Sequence, residues 1–288
     1  MKNLLGVFTL TIIVFAILLL CFAVIAGLLG SMTGLGGGFI IIPVLVLIFH
    51  INIHYAMGAS LICVIATSSG SAAAYLREGY TNLRIGMFLE TATVIGAYIG
   101  ALLIAFVSKF FLTILFSIVL FLSAYLTILR QEENENYLIS HPWAARLKLN
   151  GSYPLKNKLQ NYQVQNLPFA WVIMLIAGAL SGLLGIGAGV MKVLAMDQVM
   201  RLPYKVATTT SNFMIGITAA VSAGIYFQRG YIQPIITFPI MIGVIIGSFL
   251  GARILTKVNT YWLRIIFSIV ICFVGLEMFY QAIVGNLS

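Results

Sequence analysis

Two glycine-rich segments interrupt long apolar stretches of this sequence and carry backbone groups suited to binding an anion. The first reads Gly34-Leu35-Gly36-Gly37-Gly38, and the second reads Gly185-Ile186-Gly187-Ala188-Gly189, 151 residues later. Glycine costs roughly 1 kcal/mol relative to alanine inside a helix, so this density of glycine indicates a break in each helix. The helix that starts after a break has free N–H groups, and glycine lets an anion approach them closely. The alternative is close packing of helices through small residues. The candidate binding glycines are Gly34, Gly36, Gly37, Gly38, Gly185, Gly187 and Gly189.

Side chains that can donate hydrogen bonds follow each break. Ser60 follows the first break, and Thr210-Ser211-Asn212 follows the second. Ser60 and Ser211 are also 151 residues apart, so they hold the same position relative to the two breaks. Hydroxyl and amide groups can replace water around the oxygens of a small anion. The alternatives are hydrogen bonds to the preceding helical turn or to a neighbouring helix.

The composition is that of a membrane protein. Hydrophobic residues make up 61% of the chain and charged residues 8%, whereas a soluble domain carries about 25% charged residues. The net charge of +9 comes from 16 Lys and Arg against 7 Asp and Glu, and it is typical of basic cytoplasmic loops or of an anion pathway. Scattered basic residues argue against a nucleic-acid partner. We expect a multi-pass protein of the cell membrane with the lipid bilayer as its partner, and the sequence leaves a homo-oligomer open.

Three charged residues lie within apolar segments, where a charge is a functional hypothesis by default. Lys192 lies three residues after the second glycine segment and could attract or bind an anion. Asp197 could pair with Lys192, or with Arg201 four residues further along a helix. Glu90 has apolar neighbours that favour its neutral form, so it could take up a proton during transport. Asp197 is a second candidate for reversible proton uptake. The alternatives are a structural ion pair and a protonated Glu90 bonded to another helix.

Long apolar runs occupy both parts of the chain, and a polar connection separates them. We expect a first membrane repeat over residues 1–130, a polar cytoplasmic linker over residues 131–166 and a second membrane repeat over residues 167–288. Most runs have the roughly 20 residues that a spanning helix needs. The run 35–49 is shorter, at 15 residues, so we expect a broken or re-entrant helix there. In the linker we expect a surface helix near residues 143–149 and no chemistry.

The two halves repeat one another at a constant offset of 151 residues. An Ala-x-x-x-Ser pattern follows each glycine segment, and a Tyr-x-x-x-Gly-Tyr pattern follows in turn. The matched positions are Ala56 with Ala207, Ser60 with Ser211, Tyr75 with Tyr226, Gly79 with Gly230, and Tyr80 with Tyr231. A second pairing, of 27–30 with 182–185 at an offset of 155, predicts a four-residue indel at the break. The fold class expected is therefore all-α, with two homologous repeats of four to five membrane helices.

This arrangement of motifs resembles the TauE/SafE family of anion permeases, whose members are described as exporters of sulfite and organosulfonates or as related anion transporters. The resemblance covers about residues 20–130 and 170–285. The second half departs from the family pattern at Ala188, which replaces the central glycine, and at Leu194, which replaces the proline present as Pro43 in the first half. The resemblance implies a secondary transporter, an exporter of small sulfur-containing anions that is coupled to protons.

The relative orientation of the halves can be argued from loop charge or from segment length, and the two disagree. Five crossings per half give inverted halves and place most loop Lys and Arg residues on one side, as the positive-inside rule requires. Four crossings, with re-entrant short segments, give parallel halves and a more even distribution of charge. We expect inverted halves that alternate access to a substrate held between the two breaks.

The sequence also bears on two other classes of function. A membrane-embedded enzyme needs a nucleophile with a base, or a metal cluster, and the sequence has neither H-E-x-x-H nor G-x-S-x-G. The three histidines lack the spacing of a metal site, so we expect no metal and no cofactor. No G-x-x-x-x-G-K-[ST] motif is present, so an ion gradient would have to drive transport in the absence of a separate ATPase. A non-transporting assembly or channel subunit stays open as a third function.

Overall fold

The computed structural model describes residues 2–34, 36–128, 141–155, 158–255 and 260–284. The first half is helical in this part of the chain. Its helices are α1 (Lys2–Thr33), α2 (Gly38–Pro43), which continues as a π-helical turn (Val44–Ile48), α3 (Ile53–Glu78), α4 (Leu83–Leu103), which ends in a 3-10 turn (Ile104–Phe106), and α5 (Lys109–Ile128).

A short folded linker and a second set of helices follow. The linker holds α6 (Pro142–Arg146) and an antiparallel hairpin of β1 (Gly151–Leu155) and β2 (Lys158–Tyr162), in which Tyr153 lies opposite Gln160. The helices of the second half are α7 (Leu167–Leu184), α8 (Gly189–Leu194), which continues as a π-helical turn (Ala195–Val199), α9 (Tyr204–Gln228), α10 (Pro234–Leu255) and α11 (Thr260–Val284).

The helix boundaries of the two halves fall at one constant spacing. Helices α2 to α5 begin at residues 38, 53, 83 and 109, and helices α8 to α11 begin at residues 189, 204, 234 and 260, so each start is followed by another 151 residues later. Helix α1 ends at Thr33 and α7 at Leu184, with the same difference. The four-residue indel expected at the break is therefore wrong. The glycine-leucine pattern that suggested it is a coincidence of a glycine-rich composition.

Six helices in the described part of the chain are long and apolar enough to cross a membrane. They are Ile13–Thr33, Ile53–Ala72, Leu83–Phe106, Leu167–Leu184, Tyr204–Gln228 and Pro234–Ile254. Large apolar side chains on their outer faces are exposed, such as Ile235 at 74% and Phe238 at 62%, and lipid can cover such faces. Helix α2 with its π-helical turn rises only about 16 Å. The hydrocarbon core of a bilayer is about 30 Å thick, so this segment is too short to span it alone.

The helices pack mainly across the two halves. Helix α1 lies against α10 and α4 against α7, while α3 crosses α9 and α5 lies beside α11. Glycines allow the closest of these approaches, as small residues do in membrane bundles. A Cβ built on Gly96 would lie 2.1 Å from the Leu175 carbonyl oxygen of α7, and one on Gly247 would lie 2.0 Å from the Val24 carbonyl oxygen of α1. The small-residue patterns of α4 and α10 therefore serve packing.

The linker is more structured than the sequence suggested. The expected surface helix is present but ends at Arg146, and the hairpin after it was not predicted. Tyr162 is buried, which raises the pKa of its phenol, and its oxygen accepts a hydrogen bond from Asn82 Nδ2 at 2.7 Å. Asn82 Nδ2 also donates to the Leu149 carbonyl at 3.0 Å. The linker is therefore docked on the residue that caps the start of α4.

The close crossings predict opposite effects for two glycine-to-alanine substitutions within helices. Gly96→Ala forces a methyl group onto the α7 backbone, so we expect a loss of about 1–3 kcal/mol of stability, as for other overpacked sites. Gly224→Ala, which meets nothing within 4 Å, should be neutral or gain up to about 1 kcal/mol from helix propensity. Thermal unfolding of the two purified variants in detergent measures the difference, and equal melting temperatures would contradict it.

A candidate anion site at the paired helix breaks

Each glycine segment interrupts the chain with left-handed backbone conformations. Gly34 and Gly36 have φ values of +77° and +76°, and Gly185 and Gly187 have values of +69° and +73°. The amide of Gly34 still donates to the Gly30 carbonyl at 3.2 Å, and that of Gly185 to the Ser181 carbonyl at 2.8 Å, so α1 and α7 end at these residues. L-residues with a side chain adopt such φ values only at a cost. The glycines are therefore required by the backbone at the break itself.

The second break differs from the first at one residue. Ala188 precedes α8 with a φ of +48°, whereas Gly37, its counterpart before α2, has an ordinary φ of −73°. The alanine thus stands in a conformation that favours glycine, and the glycine stands in one that any residue can adopt. Ala188 is also the residue at which the second half departs from the glycine pattern of the first. Its left-handed conformation therefore strains the backbone locally.

The two breaks are joined by reciprocal hydrogen bonds, which we call the serine latch. The Ser60 hydroxyl on α3 donates to the Gly185 carbonyl at 2.7 Å. The Ser211 hydroxyl on α9 donates to the Gly34 carbonyl at 3.0 Å and lies 3.3 Å from the Gly189 carbonyl. Both serines are fully buried. Each half therefore supplies the donor for the carbonyl that the other half leaves free at its break.

The crossing of α3 and α9 lies between the breaks. A Cβ built on Gly36 would lie 3.1 Å from Ile215 and 3.2 Å from Val64, and a Cβ built on Gly187 would lie 2.8 Å from Val64 and 3.5 Å from Ile215. The same two apolar side chains thus touch both breaks. A Cβ on Gly38 would lie 2.2 Å from the Ser60 hydroxyl. The predicted binding glycines and the two serines are therefore brought together at the centre of the bundle.

Helices α2 and α8 both start at this centre, so their N-terminal amides contribute partial positive charge there. The first N–H groups of a helix have no acceptor within the helix. The Gly37 amide is already used, because it donates to the Thr67 hydroxyl at 3.3 Å. The remaining first-turn amides are chemically able to hold an anion at the break.

The hydrogen-bonding residues after the second break fall into two groups. Asn212 is buried and donates through Nδ2 to the Ser31 carbonyl at 2.9 Å, while its Oδ1 has no partner. Thr210 instead accepts from the Asn82 amide at 3.1 Å, at the start of α4. The hydroxyls of Thr208 and Ser181 are also buried without a partner. Thr208 packs against Gly34, and Ser181, which was not predicted, precedes Gly185 by one helical turn. Unsatisfied groups of this kind suit a site that binds a polar ligand or water.

The buried charges pair differently from the sequence expectation. Lys192 Nζ lies 3.3 Å from Glu90 Oε2, and it also contacts the Thr218 hydroxyl. Lys192 does not pair with Asp197, which is partly exposed in the π-helical turn after α8. The alternative that pairs Lys192 with Asp197 is wrong, because residues five apart on a helix point in different directions. Helices α4 and α8 both pack against α9, which brings Glu90 and Lys192 together. Among the described residues no group of three or more His, Cys, Asp or Glu could hold a metal ion.

The fold and the site define a multi-pass membrane protein in which two broken helices meet between two halves. The family described as "Sulfite exporter TauE/SafE" matches residues 18–278. The match covers nearly the whole chain, and the protein belongs to this family. The resemblance inferred from the glycine motifs is thereby confirmed.

Similar proteins are named as probable membrane transporters. The chain is 29% identical over 230 residues to the probable membrane transporter protein YdhB of Bacillus subtilis, covering 79% of this chain and 85% of that protein. It is 27% identical over 277 residues to YunE of the same organism, covering 93% and 98%. A probable membrane transporter protein of Methanocaldococcus jannaschii, MJ0441, is 26% identical over 276 residues, covering 91% and 94%. No solved structure matches the chain significantly. The protein is therefore a membrane transporter of the TauE/SafE type.

The strain at Ala188 predicts a stabilising substitution. Ala188→Gly removes a left-handed conformation that costs an L-residue about 1–2 kcal/mol, so we expect a net gain of up to about 1 kcal/mol after the loss of methyl contacts. Ala219→Gly, in the buried interior of α9, should lose about 1 kcal/mol. Melting temperatures in detergent should move in opposite directions for the two variants, and a fall for both would argue against strain at Ala188.

The serine latch predicts matched losses of stability in the two halves. Ser60→Ala and Ser211→Ala each leave a buried carbonyl at a break without its donor, which costs about 1–3 kcal/mol. Ser117→Ala is the control, because the equally buried Ser117 bonds the Thr113 carbonyl within α5, where the helix amide remains as donor. Thermal unfolding that shows Ser60→Ala and Ser211→Ala no less stable than Ser117→Ala would contradict the latch.

Proposed function

We propose that this protein is a secondary transporter that exports small sulfur-containing anions such as sulfite or organosulfonates. The observation that carries the proposal is the serine latch, which brings two interrupted helices from different halves together around buried polar groups. Paired broken helices of this kind form substrate sites in secondary transporters, with helix N-termini directed at anionic groups. The family description, "Sulfite exporter TauE/SafE", supports the choice of a sulfur oxyanion as cargo.

We propose further that the two halves are structural repeats in an inverted arrangement, with the broken helices between them. The constant spacing of helix starts supports a repeat. So does the packing, because exchanging each helix with its counterpart turns the α1–α10 contact into the α7–α4 contact. The distribution of loop Lys and Arg residues favours inversion. Alternating access then arises when one half moves against the other around the site.

Anion recognition in this proposal uses backbone amides, hydroxyl groups and one lysine. The glycines at 34, 36, 37, 38, 185, 187 and 189 admit the anion to the backbone. The hydroxyls of Ser60 and Ser211 and the amide of Asn212 can exchange their carbonyl acceptors for anion oxygens. Lys192 supplies positive charge, and Glu90 balances that charge when no anion is bound. Thr210 supports the site from the start of α4 through its bond with Asn82.

Coupling to a proton gradient follows from the same set of residues. The sequence has no nucleotide-binding motif, so an ion gradient must supply the free energy if the chain works alone. Glu90 is a buried carboxylate in contact with Lys192 and Thr218 of the second half, and an ionisable group within a membrane segment is a functional candidate by default. Asp197, being partly exposed, is the weaker candidate for this role.

Transport by purified protein in proteoliposomes tests the proposal. We expect an imposed proton gradient to drive movement of sulfite, sulfoacetate or methanesulfonate well above the rate of protein-free liposomes. The Ser60→Ala, Ser211→Ala double variant should be slowed at least about tenfold, because it loses two hydroxyl donors to the anion, and about 1.4 kcal/mol of lost transition-state stabilisation corresponds to that factor.

The control variant is Ser117→Ala, which keeps the latch and should transport like the unmodified protein. If the unmodified protein moves none of the three anions, the proposed cargo class is wrong. If the double variant transports as fast as Ser117→Ala, the anion does not pass between the breaks.

A further inference from the structure

One buried ion pair links the first half of the chain to the second beside the candidate site. Lys192 is fully buried and Glu90 is 4% exposed, with 3.3 Å between Nζ and Oε2. Lys192 lies in α8, three residues after Gly189, and Glu90 lies in α4. Taking two charges out of water is costly, and such a pair is often no more stable than apolar residues of the same size. Stability alone therefore does not account for the Lys192–Glu90 pair.

A threonine connects the two charged groups. The Thr218 hydroxyl donates to Glu90 Oε1 and is in contact with Lys192 Nζ. Thr93 lies 3.5 Å from the Thr218 hydroxyl and donates to the Glu90 carbonyl at 3.1 Å. Both carboxylate oxygens of Glu90 are thus held by groups of the second half. A change in the charge of Glu90 is felt directly by Lys192 and Thr218.

Lys192 is the charged group that faces Glu90 among the elements packed on α4. Helix α7 contains no Asp, Glu, Lys, Arg or His. Helix α9 carries Tyr204 and Lys205 at its start and Tyr226 near its end, and presents Thr218 to the carboxylate. On α4 itself the other charged residue is Arg84, in the first turn, whose Nη1 donates to the Lys148 carbonyl of the linker.

The pair is connected to the breaks through one face of α9. Thr218 follows Ser211 by seven residues, or two helical turns, so both hydroxyls point the same way. In the first half the corresponding hydroxyl is Thr67, which accepts from the Gly37 amide within the break. Ile41 occupies the position of Lys192 there. The charged pair thus lies at the level of the break and occurs once, between α4 of the first half and α8 of the second.

We propose that Glu90, Lys192 and Thr218 form a single site that binds one proton and one monoanion together. This inference rests on the proposed function and specifies its coupling. A proton from water on the open side adds to Glu90 Oε2, and the Lys192 ammonium keeps its charge and takes the anion as counter-ion in place of the carboxylate. The buried site is neutral before and after this exchange. Because an uncompensated charge is costly within a membrane, the anion enters only with the proton.

The preferred cargo of such a site is a monoanion, such as a monosulfonate or bisulfite. A dianion would leave one negative charge unbalanced beside a neutral Glu90. Transport of one proton with one monoanion is electroneutral, so the membrane potential should not drive it. Because both move in the same direction, export by this cycle is driven by an outward gradient of the anion, and an acidic exterior opposes it.

Calorimetric titration of the detergent-purified protein with methanesulfonate tests the inference. This anion does not titrate near neutral pH, so titrations in buffers of different ionisation enthalpy count the protons taken up by the protein. We expect about one proton per methanesulfonate at neutral pH, and an affinity that falls up to about tenfold per pH unit as pH rises. Glu90→Gln should bind methanesulfonate with no proton uptake and with an affinity independent of pH.

Two further comparisons keep the test decisive if Glu90→Gln is unstable with its buried cation. The neutral pair Glu90→Gln, Lys192→Met keeps the size of both side chains and should fold, take up no proton and bind methanesulfonate at least about 100-fold more weakly. Thr218→Val should shift the pH at which proton uptake is half complete. Thr113→Val, whose equally buried hydroxyl bonds the Lys109 carbonyl within α5, should leave that pH unchanged.

The outcomes separate this inference from the proposed function. Methanesulfonate binding without proton uptake by the unmodified protein, or undiminished proton uptake by the neutral pair, overturns the shared site and leaves anion transport standing. Failure of the unmodified protein to bind or move methanesulfonate, sulfite and sulfoacetate overturns both.

Discussion

The need to satisfy backbone carbonyls inside a bilayer governs this structure. A helix break in hydrocarbon exposes groups that water cannot reach, and each one costs several kcal/mol unless protein supplies a partner. Here the carbonyls at Gly34 and Gly185 accept hydrogen bonds from Ser211 and Ser60, each on the opposite half. Neither break is satisfied within its own half by these bonds. The interruption that could bind a ligand is therefore also what holds the halves together.

Close helix contact makes that exchange of donors geometrically feasible. Glycines at the crossings of α1 with α10 and of α4 with α7 let the helix backbones approach so closely that no methyl group would fit between them. Helices α3 and α9, which carry the two serines, can then cross with Val64 and Ile215 in contact with both breaks. Larger residues at the crossings would separate the serines from their carbonyls. The glycines at the helix crossings allow close packing, whereas those at the breaks allow left-handed backbone conformations. The sequence alone does not distinguish the two groups.

Much of this architecture could be predicted from the sequence, and the limits have physical causes. The glycine spacing, the 151-residue offset and the serine positions are local patterns, and they led to the breaks and to the family. The partner of Lys192 could not be found this way, because the choice between Glu90 and Asp197 depends on which helices touch. The hairpin of β1 and β2 was missed since its strands are short and polar. The lack of a partner for the Thr208 hydroxyl could not be predicted, because it is visible only in three dimensions. The assignment of Ala188 to a left-handed conformation likewise needed coordinates.

The lysine–glutamate pair occurs once, between α4 and α8, and this has a consequence for the orientation of the chain in its membrane. An inverted duplication with equal halves would look alike from either leaflet, and such a protein could insert upside down without harm. Here Ile41 and Met241 stand where a second pair would be, so the two sides of the molecule are chemically distinct. If the halves are inverted as we propose, the molecule is not symmetric about the membrane plane, and the positions of its loop Lys and Arg residues then determine which way it inserts.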